Sequence, residues 1–449
     1  MKSKTLKNFI LLVVISISVT LTAFAQSSAL NVTEQASLVT EFDVNGLKVL
    51  VKKRPNSPTA AVGLFIRGGT RNINADNSGI ENFMLEVSTE ASKQYPRNVL
   101  RRELSSTGSS IGASSDNDYS ILSLASTLKN FNRSWKFFSD IVRNPSFDKA
   151  DIERIKTRAI SGLKEQETDN DNFLEVLQNR IIYENHPYYN DVSGRIETIK
   201  NFTAKDLRAF HKKTMQTSKL LLVVVGDIDA AKVKAMVANT IGKLPRGNYV
   251  DKPYPKLNFS ESTLNVTPRP SLPTNYIKGI FDAPSFASTD YYPMRVATSI
   301  LNSRLFQEVR QKRQLSYAPS ASLDSLSANT ANIYVTAVDA NQTISVMLNL
   351  IKSMKNNPIR QAEIDGMAGQ FLTNYYMKQE TNAAQALELA KYELIGGGWR
   401  NSFKLLNRLK QVTSLDVQNV AKKYMKNIRF VVIGNPQAIE KNIFLQKTD

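Results

Sequence analysis

One supersecondary unit occurs twice in this chain, and it limits the possible folds more than any other feature. Thr203-Ala204-Lys205-Asp206-Leu207 reads as a capped helix start, with Thr at the cap and Asp three residues on. The helix runs to Lys212-Lys213. A buried strand follows from Leu220 to Val225, closed by Gly226-Asp227. The same order returns at Thr413-Ser414-Leu415-Asp416-Val417, then Lys422-Lys423, the strand Phe430 to Ile433, and Gly434-Asn435. The copies stand about 210 residues apart, a spacing of domains rather than of a solenoid. Two similar domains are expected, over residues 26–250 and 259–449. Residues 251–258 are the linker, inside a turn-rich stretch from Arg246 to Asn258 with Gly247, Pro253 and Pro255.

Each domain reads as strands followed by helices. The first opens with strands from Leu47 to Val51 and Thr59 to Ile66, a Gly68-Gly69 turn, and a helix capped by Ser78 and running to about Ser92. A sheet segment covers Ser110 to Leu128, and a helix covers Asn130 to Arg143. Asp148 caps a long helix with Ile152, Ile155, Ala159 and Leu163 on one face. The second opens with the strand Thr274 to Phe281 and helices over Tyr291 to Asn302 and Ser303 to Lys312. Strands over Leu315 to Ser327 and Thr330 to Val338 follow. This order predicts an α+β fold, with helices packed on one face of each sheet, rather than a doubly wound sheet.

The first 25 residues read as an export signal. Lys2, Lys4 and Lys7 form a basic start, Phe9 to Leu21 is apolar, and Ala23-Phe24-Ala25 is a small-residue cleavage site. No later stretch is long and apolar enough to span a bilayer, so a soluble periplasmic or extracellular protein is expected. Removing three lysines takes the net charge from +18 to 18 − 3 = +15. The chain has no cysteine and two histidines, His186 and His211. That excludes disulfides, thiolate metal sites and a cysteine nucleophile. An ordinary catalytic zinc site would need both histidines together in space.

The stretch Gly68-Gly69-Thr70-Arg71 … Ser78-Gly79-Ile80-Glu81-Asn82-Phe83-Met84-Leu85-Glu86 resembles the metal-site region of the insulinase/pitrilysin-like zinc peptidases. Their inverted motif is H-x-x-E-H on a helix. The resemblance extends over essentially all of the chain after the signal. It takes in Val225-Gly226-Asp227-Ile228-Asp229, Pro245, and the run Ser303-Arg304-Leu305-Phe306-Gln307-Glu308-Val309-Arg310 with Lys312-Arg313-Gln314-Leu315-Ser316-Tyr317. It implies the two-domain fold of the mitochondrial-processing-peptidase type, arranged as a clam-shell.

In that family two histidines on one helical face hold zinc, and the glutamate beside the second activates water. Here the first histidine position is Asn82, the general-base position Leu85 and the second histidine position Glu86. The third ligand is a glutamate on the next long helix, where this chain reads Ile160-Ser161-Gly162-Leu163. A one-residue slip places Glu86 at the base position but Phe83 and Val87 at the histidine positions. Only Glu86 keeps ligand chemistry. The expectation is that this chain binds no zinc and catalyses nothing alone, with Asn82 and Glu86 a hydrogen-bonded or solvated pair.

The resemblance also places Arg310 and Tyr317 at the family's Arg/Tyr pair, which binds the substrate's backbone carbonyl across the chamber from zinc. A guanidinium and a phenol are both donors, suited to a carbonyl and the oxyanion it becomes. The alternative is an ion pair of Arg310 with Glu308 or Asp324 and a core role for Tyr317. Arg313 is a competing arginine at the wrong spacing.

Other constellations carry less. His186, in Asn185-His186-Pro187-Tyr188, and His211 read as structural. Gly396-Gly397-Gly398 follows a helix and lacks a P-loop's Lys-Ser/Thr, so it reads as a helix stop. Glu165, Glu167, Asp169 and Asp171 lack calcium-loop grammar and read as a helix end. The basic residues are dispersed and no nucleic-acid motif is present. The expected function is a non-catalytic subunit of an exported insulinase-like zinc peptidase, with peptide substrate and a zinc-bearing homologous partner. The alternative is a non-enzymatic scaffold or peptide-binding protein.

Overall fold

Two sheets of like topology organise the chain. The computed structural model describes residues 32–448, so the export signal expected over residues 1–25 lies outside the described residues. Residues 32–38 hold one short helix, Val32–Ser37. A separate compact unit begins at Val39.

The first sheet contains β1 (Val39–Val44), β2 (Leu47–Lys53), β3 (Thr59–Arg67), β4 (Ser110–Ser115), β5 (Tyr119–Thr127) and β6 (Leu220–Gly226), in the order β1-β2-β6-β3-β5-β4. β2 and β6 run parallel, and every other pair is antiparallel. The second contains β7 (Thr263–Pro268), β8 (Asn275–Asp282), β9 (Ser320–Leu323), β10 (Thr330–Ala337) and β11 (Arg429–Gly434), in the order β7-β11-β8-β10-β9. Its one parallel pair is β7 with β11. With β1 set aside, the two orders match strand for strand. The mixed, mainly antiparallel α+β fold with two similar halves is therefore present. Residues 245–262 between them carry no helix or strand.

The repeated unit forms as its sequence predicts. Thr203 accepts from the Asp206 N–H, and the Asp206 side chain accepts from the Thr203 N–H. Thr413 and Asp416 do the same. These reciprocal caps satisfy donors that a helix start leaves open.

Each half's own helices cover one face of its sheet, building a core around Leu64, Phe83, Phe137 and Val224 in the first half and Phe281, Leu301, Ile333 and Phe430 in the second. The other face is covered by exchange. Helix Asn382–Ile395 of the second half lies on β3 and β6, and helix Asn170–Ile182 of the first half lies on β8 and β11. The reason is visible in β6, Leu-Leu-Leu-Val-Val-Val, which is buried along its whole length. A strand apolar on both faces needs cover on both. Leu174 and Ile182 meet Ile280, Val431 and Ile433 in the second exchange contact.

Polar groups lock both exchanges. Asn382 donates to Ser57 Oγ at 2.9 Å and to the Thr59 carbonyl at 2.8 Å, and accepts from Arg54 at 2.9 Å. Buried Asp118 accepts from the Tyr188 hydroxyl at 2.7 Å and the Ser327 N–H at 3.0 Å. Among the described residues no helix is long and apolar enough to cross a membrane.

Candidate functional site

The helix expected from Ser78 starts at Ile80 and ends at Ser88. Gly79, not Ser78, forms its N-terminal boundary, with φ 86°. A Cβ at Gly79 would lie 2.5 Å from Gly194 Cα, so the left-handed turn and the close approach both require glycine. Ser78 is buried and donates to the Asp191 carbonyl at 2.7 Å. Beyond Thr89 the chain leaves the helix, and Ser92 bridges Pro145. Likewise Asp148 stands at the start of helix Lys149–Thr168 but its side chain makes no cap hydrogen bond.

Asn82 and Glu86 lie one turn apart on the helix's partly exposed face, and Asn82 Nδ2 donates to Glu86 Oε1 at 3.0 Å. Leu85 is fully buried with Phe83 and Val87 in the first core. Both registers considered for a metal motif thus end in packing side chains. The other Glu86 oxygen accepts from Arg158 Nη2 at 2.9 Å. Arg158 stands on helix Lys149–Thr168, two residues before the Ile160–Leu163 stretch where the family carries its third ligand.

These residues do not fit zinc. The three motif positions offer an amide, an aliphatic side chain and a carboxylate already bonded to a guanidinium. A divalent ion at Glu86 would have to displace Arg158 and would meet no imidazole. Among the described residues no group of three or more His, Asp or Glu side chains is placed to hold a metal.

Sequence reasoning missed Arg158 and Glu81. Glu81 is buried beside the site and accepts from Ser120 Oγ at 2.6 Å and Asn72 Nδ2 at 2.8 Å. Burial pushes its carboxyl up, against those two bonds and the Lys219 charge. A basic residue close to the missing third ligand was the available signal for Arg158.

In the second half, the two expected helices run on without a break. Helix Tyr291–Leu305 continues into a π-helical segment, Phe306–Lys312, which carries Arg310. Widened turns of this kind are rare and concentrate at functional sites. The chain then reverses at Gln314, with φ 53°, and the Leu315 N–H returns to the Val309 carbonyl at 2.9 Å. Tyr317 stands in a bend before β9 rather than at the start of a strand.

The reversal sets Tyr317 over Arg310. The guanidinium carbon is 4.1 Å from the Tyr317 ring centroid and 4.9 Å from that of Phe306. Tyr317 is 77% exposed, so it is not core. No carboxylate among the described residues lies within ion-pair distance of Arg310. Glu308 instead pairs with Lys312 and Arg313, and Asp324 accepts from Thr330 Oγ1 at 2.7 Å. Stacking uses the face of a guanidinium and leaves its in-plane N–H groups as donors. Among the described residues no hydrogen bond, ion pair or ring contact joins Arg310 or Tyr317 to Asn82 or Glu86.

The remaining constellations are structural. His186 Nδ1 accepts from the Tyr188 N–H at 3.1 Å, which places the proton on Nε2, facing the Pro255 carbonyl at 3.1 Å. His211 Nε2 lies 2.9 Å from the Val142 carbonyl. Burial pushes both imidazoles down. Gly396 ends helix Asn382–Ile395, its N–H bonded to the Tyr392 carbonyl. Asp169 caps helix Asn170–Ile182, and Asp171 accepts from Tyr334.

A family model described as insulinase, peptidase family M16, matches residues 48–195, and one described as peptidase M16 inactive domain matches residues 201–371. Together they span more than half of the chain. The chain is 20% identical over 432 residues to the mitochondrial-processing peptidase subunit beta of Saccharomyces cerevisiae, covering 90% of this chain and 92% of that one. It is 21% identical over 411 residues to the Helicobacter pylori protein described as non-peptidase homolog YmxG, covering 89% and 95%. A solved structure of a peptidase M16 inactive domain from Pseudomonas fluorescens superimposes with a TM-score of 0.79 at 19% identity, covering 88% of this chain and 98% of that one.

Proposed function

The chain belongs to the insulinase family of peptidases, M16, as an inactive member, and from that premise we propose that it is the non-catalytic subunit of an exported zinc peptidase. It closes the chamber on a zinc-bearing homologous chain and binds peptide for it. One contrast carries the reading. Glu86 is bonded to Asn82 and Arg158, whereas Arg310 keeps its donors under an exposed tyrosine and, among the described residues, has no carboxylate partner.

The division of labour follows from the chemistry. Leu85 has no atom that accepts a proton, so this chain cannot activate water at that position. Zinc, on the partner, supplies that activation. Arg310 and Tyr317 donate to the peptide carbonyl and hold it as negative charge grows on its oxygen. Export, read from residues 1–25, places the complex in the periplasm or outside the cell.

Co-expression with a zinc-bearing homologue of the same genome, followed by peptide cleavage, tests the reading. A complex more active than either chain alone supports it. Hydrolysis of unfolded peptides by this chain alone, with stoichiometric zinc, contradicts it. A scaffold or peptide-binding protein without a catalytic partner is the second reading, favoured by the relative described as a non-peptidase homologue. Failure of every zinc-bearing homologue to associate would select it.

A further inference from the structure

The second half holds an open cleft of about 520 Å³ that the reading above does not use. Helices Tyr291–Leu305, Gln361–Lys378 and Asn382–Ile395 wall it, with strand β9 and the turn after it, Phe286 from the loop after β8, and Leu405. Its volume falls in the roughly 300–1,000 Å³ range of small-ligand sites.

Its charges are out of balance. Arg295, Lys378 and Lys391 line it against one carboxylate, Glu388. Among the described residues none of these three cations lies within ion-pair distance of a carboxylate. Lys391 Nζ donates to Ser325 Oγ at 2.9 Å and lies 5.3 Å from the Phe286 ring centroid. Arg295 lies over Phe371, also at 5.3 Å. Glu388 accepts from the Gln379 amide. Burial pushes the Lys391 ammonium down and the Glu388 carboxyl up to about 7.

Burying the Lys391 ammonium costs free energy, and among the described residues Glu388, the one carboxylate lining the cavity, makes no ion pair with it, with half-buried Arg295 or with exposed Lys378. The same wall carries the rings of Phe286, Tyr291 and Tyr392, with Phe286 packed on the other two at centroid distances of 4.8–5.0 Å. The wall therefore offers positive charge beside an apolar surface.

We propose that this cavity binds a carboxylate carried on an apolar stem, with Arg295, Lys378 and Lys391 meeting the charge and Phe286 and Tyr392 the stem. A peptide supplies that chemistry from a free C-terminus or from an acidic side chain. The inference stands apart from the Arg310–Tyr317 reading, because neither residue lines the cavity.

Titration calorimetry of the full chain with three probes tests it: acetyl-Ala-Phe as the free acid, acetyl-Ala-Phe-amide, and acetyl-Ala-Glu-amide. A carboxylate probe should bind roughly ten- to a hundredfold more tightly than the neutral amide, the range lost with one charge-assisted hydrogen bond. Tighter binding of the free acid assigns the C-terminus, and tighter binding of the glutamyl amide assigns the side chain. Lys378→Gln, at an exposed position, and Arg295→Gln should each weaken the carboxylate probe by about tenfold. Equal binding of acid and neutral amide, no binding of any probe, or binding unchanged in a folded Lys378→Gln and Arg295→Gln would overturn the proposal.

Discussion

Arg158 and Glu86 stand 2.9 Å apart, and their ion pair ties helix Lys149–Thr168 to helix Ile80–Ser88. In the zinc-bearing members that this chain resembles, a metal ion joins the corresponding two helices. Here a side chain supplies the positive charge. At the positions that the family resemblance gives to the metal site, this chain holds an amide, an aliphatic side chain and a carboxylate paired with an exposed guanidinium.

Restoring the motif alone should therefore restore little zinc affinity. The triple variant Asn82→His, Leu85→Glu, Glu86→His places a free guanidinium against the ion. Adding Arg158→Ala should raise zinc affinity by about tenfold, since a unit charge some 5 Å from a divalent ion costs between one and two kcal/mol, roughly, even in water-like surroundings. Chelator competition measures this. Equal affinity with and without Arg158 would contradict the cation's role.

The pair should nonetheless stabilise the fold only slightly. Arg158 is 62% exposed, and exposed pairs contribute roughly 0–1 kcal/mol. Arg158→Ala should move the urea midpoint little, and the small difference should shrink in high salt. A loss above about 2 kcal/mol would show that the pair carries structural load.

Much of the fold was legible because its signals are local. The Thr203 and Thr413 caps act within three residues, and the β6 run announces burial on both faces. The exchange of helices was not legible, since apolar runs do not say which half supplies their cover. Arg158 was missed because its partner lies 72 residues away. The Ser78 cap failed because a close approach to Gly194, invisible locally, gives the turn to Gly79. Tyr317 reads as the start of a strand over Leu315 to Ser327, but the reversal at Gln314 leaves it in a bend before β9.

The exchange of helices predicts a large effect at Asn382. Its amide bonds Ser57 and Thr59 across the two halves and is buried. Asn382→Ala leaves those groups short of partners and should cost about 2–4 kcal/mol, read as a lower thermal midpoint. A surface-like loss below about 0.5 kcal/mol would contradict this bridging role.

The contact of the Asn382–Ile395 helix with β2 also carries a pH signature. Burial raises Glu388 from 4.5 to about 7 and lowers Lys52 from 10.5 to about 8. The Glu388 contribution is full below about pH 4.5 and is lost as pH rises through 7. The Lys52 contribution is full above about pH 10.5 and is lost as pH falls through 8. Stability from these two groups should be lowest between pH 7 and 8 and recover on either side, by an amount on the order of 2–3 kcal/mol for each group. In urea titrations across pH, Glu388→Gln should flatten the acid limb and Lys52→Met the alkaline limb. Unchanged limbs in both variants would contradict the assignment.

The most direct test of a non-catalytic, substrate-holding role is the cleavage rate of the complex reconstituted from a zinc-bearing homologue and this chain carrying Arg310→Ala. The account predicts a fall in kcat/KM of roughly ten- to a hundredfold, the loss of one charge-assisted hydrogen bond to the carbonyl. Tyr317→Phe should give a smaller fall, and Arg313→Ala, whose guanidinium is held by Glu308, should leave the rate within about twofold. Unchanged kcat/KM in both Arg310→Ala and Tyr317→Phe, with the complex intact, would contradict it.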